Sequence, residues 1–192
     1  MVRKARDKNT FGTYYITQSG NESRNLFLDD NDKNKFLEIL SKTKKKFDYK
    51  IYAYCISSDN FYKLIIYDNG SDISKIMKSI NISYSMYVKC GKKLFNDRYK
   101  SFLIKDYHEL INYTKKIHCY ENKWNSYCDY IKDSNPTNNL LDSKDILNLF
   151  NYKNINPKKS YKEYINNNLD INDIICDRDI IFCKDNKNCI TI

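Results

Sequence analysis

The stretch Ile51–Tyr67, IYAYCISSDNFYKLIIY, constrains this chain more than any other. Two runs rich in β-branched and aromatic residues, Ile51–Ile56 and Phe61–Tyr67, are split by Ser57-Ser58-Asp59-Asn60, all turn formers. Such runs joined by a short polar link read as a β-hairpin. Successive side chains of a strand point to opposite faces. Phe61, Lys63, Ile65 and Tyr67 therefore share one face of the second strand, and Tyr62, Leu64 and Ile66 share the other. Any chemistry the hairpin offers on the first face is set by the pair at 61 and 63.

Periodicity organises the rest around this hairpin. Thr13–Thr17 reads as a strand with Tyr14 and Ile16 on one face, followed by a polar loop, Gln18–Arg24, whose Gly20-Asn21 suits a turn with positive φ. Asp30 or Asn31 caps a helix running to about Phe47, with apolar positions at 36, 37, 40 and 47 and Ile39 at the margin of that face. Its Lys42, Lys44, Lys45 and Lys46 sit at the C-terminal end, where the macrodipole favours cations. After Asn69-Gly70, Ser71 or Asp72 starts a second helix. Its Ile73, Ile76, Met77, Ile80, Tyr84, Tyr87 and Val88 form a core-packing stripe, and Gly91 ends it. Leu94–Lys105 supplies a turn and a strand, and Asp106–Tyr120 a helix with Leu110, Ile111, Thr114 and Ile117 on one side. The order β-α-β-β-α-β-α predicts an α+β fold, a ferredoxin-like antiparallel sheet with helices packed on one face. Asp133–Leu141, with Pro136 and several Asn, reads as a linker; Ser143–Phe150 and Ser160–Leu169 read as helices, and a last short segment holds Ile171, Ile174 and Ile175, then Ile180–Cys183. Residues 1–132 are thus expected to form one domain and 133–192 a helical C-terminal extension.

Charge separates the same two parts. The chain carries 33 Lys and Arg against 24 Asp and Glu; residues 1–132 hold 25 and 15 of these, residues 133–192 hold 8 and 9. A net excess of ten positive charges confined to the first part is the footprint of a polyanion binder, beginning with the basic arm Arg3, Lys4, Arg6 and Lys8. AT-rich codons, which favour Lys, Asn, Ile, Tyr and Phe together, are the competing source of that excess. No run approaches the roughly 18 to 20 apolar residues of a membrane span, and the N-terminus has charge without an apolar core, so a cytoplasmic protein with no membrane partner is expected. The seven Cys lack CxxC spacing and read as thiols, not as disulfides or a zinc site.

Several segments resemble one family when taken in order. Asp59-Asn60-Phe61-Tyr62-Lys63-Leu64-Ile65-Ile66 resembles the HUH strand of the REP-associated tyrosine transposases, a branch of the single-tyrosine HUH transposases. Ser19-Gly20-Asn21-Glu22-Ser23-Arg24 resembles that family's Arg-Gly-Asn-x-x-Arg loop. Leu94-Phe95-Asn96-Asp97-Arg98-Tyr99-Lys100-Ser101 resembles its Leu-Phe-Gln-Gly-Arg-Tyr-Lys-Ser segment, and Trp124-Asn125-Ser126-Tyr127 its Trp-Ser-Ser-Tyr. Ile117-His118 fixes the register of the helix that carries the family's nucleophile. The resemblance spans about Gly12 to Tyr127.

The resemblance implies two metal-binding His at the positions of Phe61 and Lys63, a nucleophilic tyrosine at Lys116 and a third metal ligand at Tyr120. All four are replaced. Phe61 offers no lone pair, and Lys63 places a cation where a dication belongs. At ~4 Å and an effective dielectric near 20, each product of unit charges costs about 4 kcal/mol, and a dication twice that. No catalytic residue and no cofactor are therefore expected, with a divalent metal such as Mg²⁺ entering only if catalysis is retained. Binding can outlast cutting: Arg24, Lys63, Arg98, Lys100, Lys115 and Lys116 are the candidate contacts to DNA, expected to be single-stranded or hairpin. His108 and His118 read as surface or packing residues. The alternatives are an active transposase with a shifted nucleophile, Tyr113 or Tyr120, and an RNA-binding or protein-interaction module. The RNP1 pattern of RNA-binding sheets is absent. The resemblance admits monomers and homodimers.

Overall fold

The computed structural model describes residues 11–21, 23–58, 60–89, 93–120, 124–132, 140–151 and 155–167. Strands β1 (Thr13–Ser19), β2 (Lys50–Ile56), β3 (Phe61–Tyr67) and β4 (Lys100–Ile104) form one sheet in the order β2-β3-β1-β4. Every neighbouring pair is antiparallel. Helices α1 (Asp30–Phe47) and α2 (Ile73–Val88) make the two crossovers of a ferredoxin-like βαββαβ unit. Then follow α3 (Tyr107–His118), α4 (Tyr127–Ile131), α5 (Ser143–Leu147) with a 3₁₀ turn (Asn148–Phe150), and α6 (Pro157–Ile165).

Alternation along the strands divides the core in two. Tyr14, Ile16, Tyr62, Leu64 and Ile66 face α1 and α2, joining Phe36, Leu40, Ile76, Met77, Ile80 and Tyr84 in one cluster. Ala53, Cys55, Ile65 and Ile104 face the other way, into a cluster with Leu110, Ile111 and Ile117 of α3 and with Tyr130, Ile146, Phe150, Tyr161 and Tyr164 of the later helices. The two crossover helices pack on one face as expected. The C-terminal helices, expected as an extension, pack with α3 on the opposite face. The physical reason is that Ile65, Ile104 and the α3 stripe present apolar surface that one helix cannot cover.

The extension is tied to the edge strand β2. Asp142 pairs with Ile51 in both directions, its N–H donating to the Ile51 carbonyl and its carboxylate accepting from the Ile51 N–H, each at 2.9 Å. Lys44 reaches Asp142 at 2.7 Å and Lys50 reaches Asp145 at 2.6 Å. The expected linker is therefore shorter on its C-terminal side: Leu140 is buried and Leu141 packs on the first cluster, while 133–139 lie outside the described residues. Further along β2, the Ile56 N–H donates to the Trp124 carbonyl at 2.9 Å and the Ser126 N–H to the Tyr54 carbonyl at 3.0 Å. Residues 124–126 thus cover the rest of that edge.

Helix starts follow short polar residues, one position before the expected Asp30 in α1 and at the expected Asp72 in α2. Asp29 caps α1 by accepting from the Asp32 N–H, Asp72 caps α2 and Asp106 caps α3. The α2 helix closes on Lys89 in the left-handed region, φ 47°. Gly91, expected as its stop, lies outside the described residues, as do the basic arm, Cys90 and everything from residue 168, including Cys176, Cys183 and Cys189. Gly20 does not adopt positive φ. Its requirement is space: a Cβ there would lie 2.2 Å from Asn60 Oδ1. Asn60, at φ 64°, uses that oxygen to accept from the Leu26 N–H, and its Nδ2 donates to the Asn21 carbonyl at 3.1 Å. The hairpin loop is locked to the β1–α1 loop by this amide and by the Gly20 N–H, which donates to the Asn60 carbonyl at 2.7 Å. Among the described residues no helix is long and apolar enough to cross a membrane.

Candidate nucleic-acid interface

Strand pairing places side chains in rows across the face covered by α3. Ile65, Tyr15 and Phe102 form one row, and Lys63, Thr17 and Lys100 the next. Directly opposed side chains on adjacent strands lie ~5 Å apart, so Lys63 and Lys100 flank Thr17 at about that spacing. Ser19 opposes Phe61 in the following row. The C-terminal end of β1 and the N-terminal ends of β3 and β4 therefore meet at one end of the sheet. Lys100 and Ser19 are exposed there, Lys63, Thr17 and Phe61 half-buried, and Phe102 is 48% exposed.

The α3 helix lies on this face through Leu110, Ile111, Thr114 and Ile117, which are buried. Residues three and four apart on a helix are neighbours, so its flank carries Tyr113 and Lys116, continued by Tyr120 just past its end. Tyr113 stacks on Tyr15, ring centroids 4.5 Å apart and planes 19° apart, and Tyr15 meets Phe102 at 6.2 Å. The Lys116 Nζ stands 5.0 Å from the Tyr113 ring centroid. A continuous aromatic run, Phe102–Tyr15–Tyr113, thus crosses from the β4 edge to α3 with an ammonium at its far end. Burial, with Tyr113 and Cys55 nearby, raises the Tyr15 pKa, so its phenol stays protonated.

Three of the four substituted positions, Phe61, Lys63 and Tyr120, come together, and Lys116 lies against Tyr113 one helical turn before Tyr120. Phe61 and Tyr120 pack edge to face, centroids 5.2 Å apart at 87°. The Lys63 Nζ sits 4.8 Å from the Phe61 ring and 4.5 Å from that of Tyr120. Each such cation–π contact contributes ~0.5–1 kcal/mol near the surface. This set does not suit a divalent cation: Phe61 has no lone pair, the Tyr120 hydroxyl is a single neutral oxygen, and the Lys63 ammonium already places positive charge there. Among the described residues, no three His, Cys, Asp or Glu converge to replace it.

The other expected contacts divide. Arg24 lies in the loop after β1 and Arg98 in the turn before β4, both at the sheet end that carries Lys63 and Lys100; Arg98 is exposed. Lys115 is committed elsewhere. Its Nζ donates to the Tyr164 carbonyl and to Asn167 Oδ1, each at 2.7 Å, and lies 4.2 Å from the Tyr164 ring, which makes it a strut between α3 and α6. His118 is a packing residue, with Nδ1 2.5 Å from the Tyr161 hydroxyl and Nε2 2.7 Å from Ser126 Oγ; burial drives its pKa from 6.5 down to about 3. Tyr15, Thr17 and Phe102 were not singled out from sequence. The signal for Tyr15 and Thr17 was the other half of the β1 alternation, on either side of Ile16, and that for Phe102 the same alternation in β4.

The family model for IS200-like transposases matches residues 13–115, ending one residue before Lys116. No curated protein matches. Among solved structures, a REP-associated tyrosine transposase bound to a REP hairpin superposes with a TM-score of 0.60 at 14% identity, covering 68% of this chain and 86% of that one. That likeness is one of fold, and the family match spans more than half of the sequence. The chain belongs to the IS200-like transposase family.

Proposed function

We propose that this protein binds single-stranded or hairpin DNA on the α3-covered end of its sheet and does not cut it. The observation that carries this reading is the Lys63 ammonium against both the Phe61 and Tyr120 rings, where the family resemblance places a metal. An ammonium so held attracts a phosphate oxygen but cannot bind it as a Lewis acid. Lys116, at the implied tyrosine position, cannot form a phosphotyrosine. Lys63, Lys100 and Lys116 would contact the backbone, with Arg24 and Arg98 at the rim of the same end. Phe102, Tyr15 and Tyr113 offer ring faces and edges on which unpaired bases stack without sequence preference. The solved relative is bound to a REP hairpin, which favours a hairpin ligand here too.

Fluorescence anisotropy of a labelled DNA hairpin, against the same sequence as full duplex and across a salt series, tests the binding half. The expected result is preference for the hairpin and an affinity that falls steeply with salt. Removing Lys63 should lower the salt slope by about 0.7, the share of one single-strand phosphate contact. Equal or absent binding of both forms refutes it. Incubation with Mg²⁺ or Mn²⁺ tests the other half: a covalent protein–DNA adduct, lost on Tyr113→Phe or Tyr120→Phe, would establish a shifted nucleophile and overturn the non-cutting reading.

A further inference from the structure

Amino groups and aromatic rings share one end of the sheet, and together they have a chemistry beyond holding phosphate. Tyr113, half-buried, stacks on Tyr15 with ring centroids 4.5 Å apart, and Tyr15 meets Phe102, which is 48% exposed. Lys116 is exposed on the flank of α3, its Nζ 5.0 Å from the Tyr113 ring centroid. Lys63 and Lys100 stand on either side of Thr17 in the next row of the sheet. As an ammonium, a lysine attracts phosphate. As a neutral amine, it is a nucleophile for carbonyl carbon and forms an imine.

The lysines of this region are not equally placed for such a reaction. Lys115 is taken up by the Tyr164 carbonyl and Asn167 Oδ1. The Lys63 Nζ stands against two rings, at 4.8 and 4.5 Å. Lys116 stands against one ring, and no ion pair among the described residues engages it. It is the exposed amine at the end of the stacked Tyr113–Tyr15 pair.

The carbonyl that DNA offers is the one left when a base is lost. An abasic deoxyribose opens to an aldehyde at C1′, and its strand holds a gap one base thick. An aromatic side chain fills such a gap by stacking on the neighbouring bases as the lost base did. Intact DNA has neither the gap nor the aldehyde. A ring platform with an amine beside it matches both features of the lesion. We infer that this face captures an abasic site in unpaired DNA as an imine on Lys116. The Lys116 Nζ attacks C1′, the aldehyde oxygen leaves as water with the two amine protons, and an Nζ=C1′ double bond remains. Forming it needs no oxidant or reductant and breaks no phosphodiester bond. Tyr113, Tyr15 and Phe102 occupy the gap, and Lys63 and Lys100 hold the flanking phosphates. This inference rests on the reading that the sheet face binds DNA.

The test uses a labelled single-stranded oligonucleotide with one abasic deoxyribose. Sodium cyanoborohydride reduces the imine to a secondary amine before the 3′ phosphate can be eliminated, and the product runs as a protein–DNA adduct on a denaturing gel. Controls without an aldehyde are the same strand with an intact base or with tetrahydrofuran in place of the abasic sugar. Each protein is used at a concentration that saturates the strand by anisotropy, so the yield reports reaction and not affinity. Expected are an adduct with the abasic strand alone, and a yield that rises from pH 6 to pH 8 because the neutral amine attacks. Peptide mapping of the wild-type adduct should place it on Lys116, and Lys116→Arg should form at least about tenfold less. Binding without an adduct, an equal yield from Lys116→Arg, or an adduct spread over other lysines overturns the inference and leaves DNA binding on the sheet standing. If none of the oligonucleotides binds, both readings fall.

Discussion

Lowering the pH from 7 to 5 should destabilise this protein through one residue. His118 is 4% exposed, between the Tyr161 hydroxyl and Ser126 Oγ and packed against the Tyr127 and Tyr130 rings. No carboxylate is among these partners, and burial alone lowers its pKa from 6.5 to about 3. A group whose folded pKa is depressed binds its proton more readily in the unfolded chain. Stability is therefore intact above pH 6.5 and lost as pH falls toward 3. Each pH unit inside that window costs about 1.4 kcal/mol, so pH 5 costs ~2 kcal/mol, a large share of a typical 5–15 kcal/mol. Asp68 and Asp129, whose pKa values burial raises, oppose the loss at the acid end, which makes the interval from 6.5 to 5 the diagnostic one. Urea unfolding followed by the fluorescence of the single tryptophan, Trp124, measures the slope directly. His118→Gln should be less stable at neutral pH, because the hydrogen bonds of Tyr161 and Ser126 are disturbed, yet should show a flatter pH dependence. Equal slopes in wild type and variant between pH 6.5 and 5 would refute the reasoning, as would an NMR titration of the His118 ring in the folded protein within that range.

Three further substitutions probe other parts of the structure. Gly20→Ala drives a methyl group against Asn60 Oδ1 and breaks the amide link between the two loops; overpacking of this kind costs ~1–3 kcal/mol, read as a lowered urea midpoint. Phe102→Ala removes a half-exposed ring from the aromatic run and should weaken single-stranded DNA binding by about 1–3 kcal/mol in anisotropy with little change in thermal midpoint. Asp142→Ala strips the Ile51 N–H and Lys44 of their carboxylate and should lower stability by ~1–3 kcal/mol in chemical denaturation, leaving hairpin affinity intact.

The four strands and the first three helices were legible in the sequence because each carries a strong local signal. The hairpin is bounded by turn formers, and α2 has an uninterrupted apolar stripe. The pairing of position 61 with 63 followed from period-two geometry, and that of both with Tyr120 was implied by the family resemblance, which fixed the register of the helix. What stayed hidden depends on contacts distant in sequence. Nothing local to Lys115 announces a bond to the Tyr164 carbonyl, 49 residues away. Nothing around Gly20 marks it as the neighbour of Asn60 and not a turn glycine. The aromatic run draws one residue each from β1, β4 and α3, and only the sheet register brings Tyr15, Phe102 and Tyr113 together. The C-terminal helices read as an appendage because their amphipathic faces say that something is covered, not what.

The sealed outer side of β2 has a consequence for assembly. Asp142 closes one end of that strand and residues 124–126 the other, so among the described residues the strand left to accept a new neighbour is β4. It carries Lys100 and Phe102 on the proposed DNA-binding face. A second molecule that extended the sheet by strand addition would have to lie alongside both residues, and a nucleic acid laid across this face would occupy the same ground. On the proposed DNA-binding reading, sheet extension and DNA occupancy would compete for one border. The apo protein would then be the form exposed to edge-to-edge association, and bound DNA would protect it.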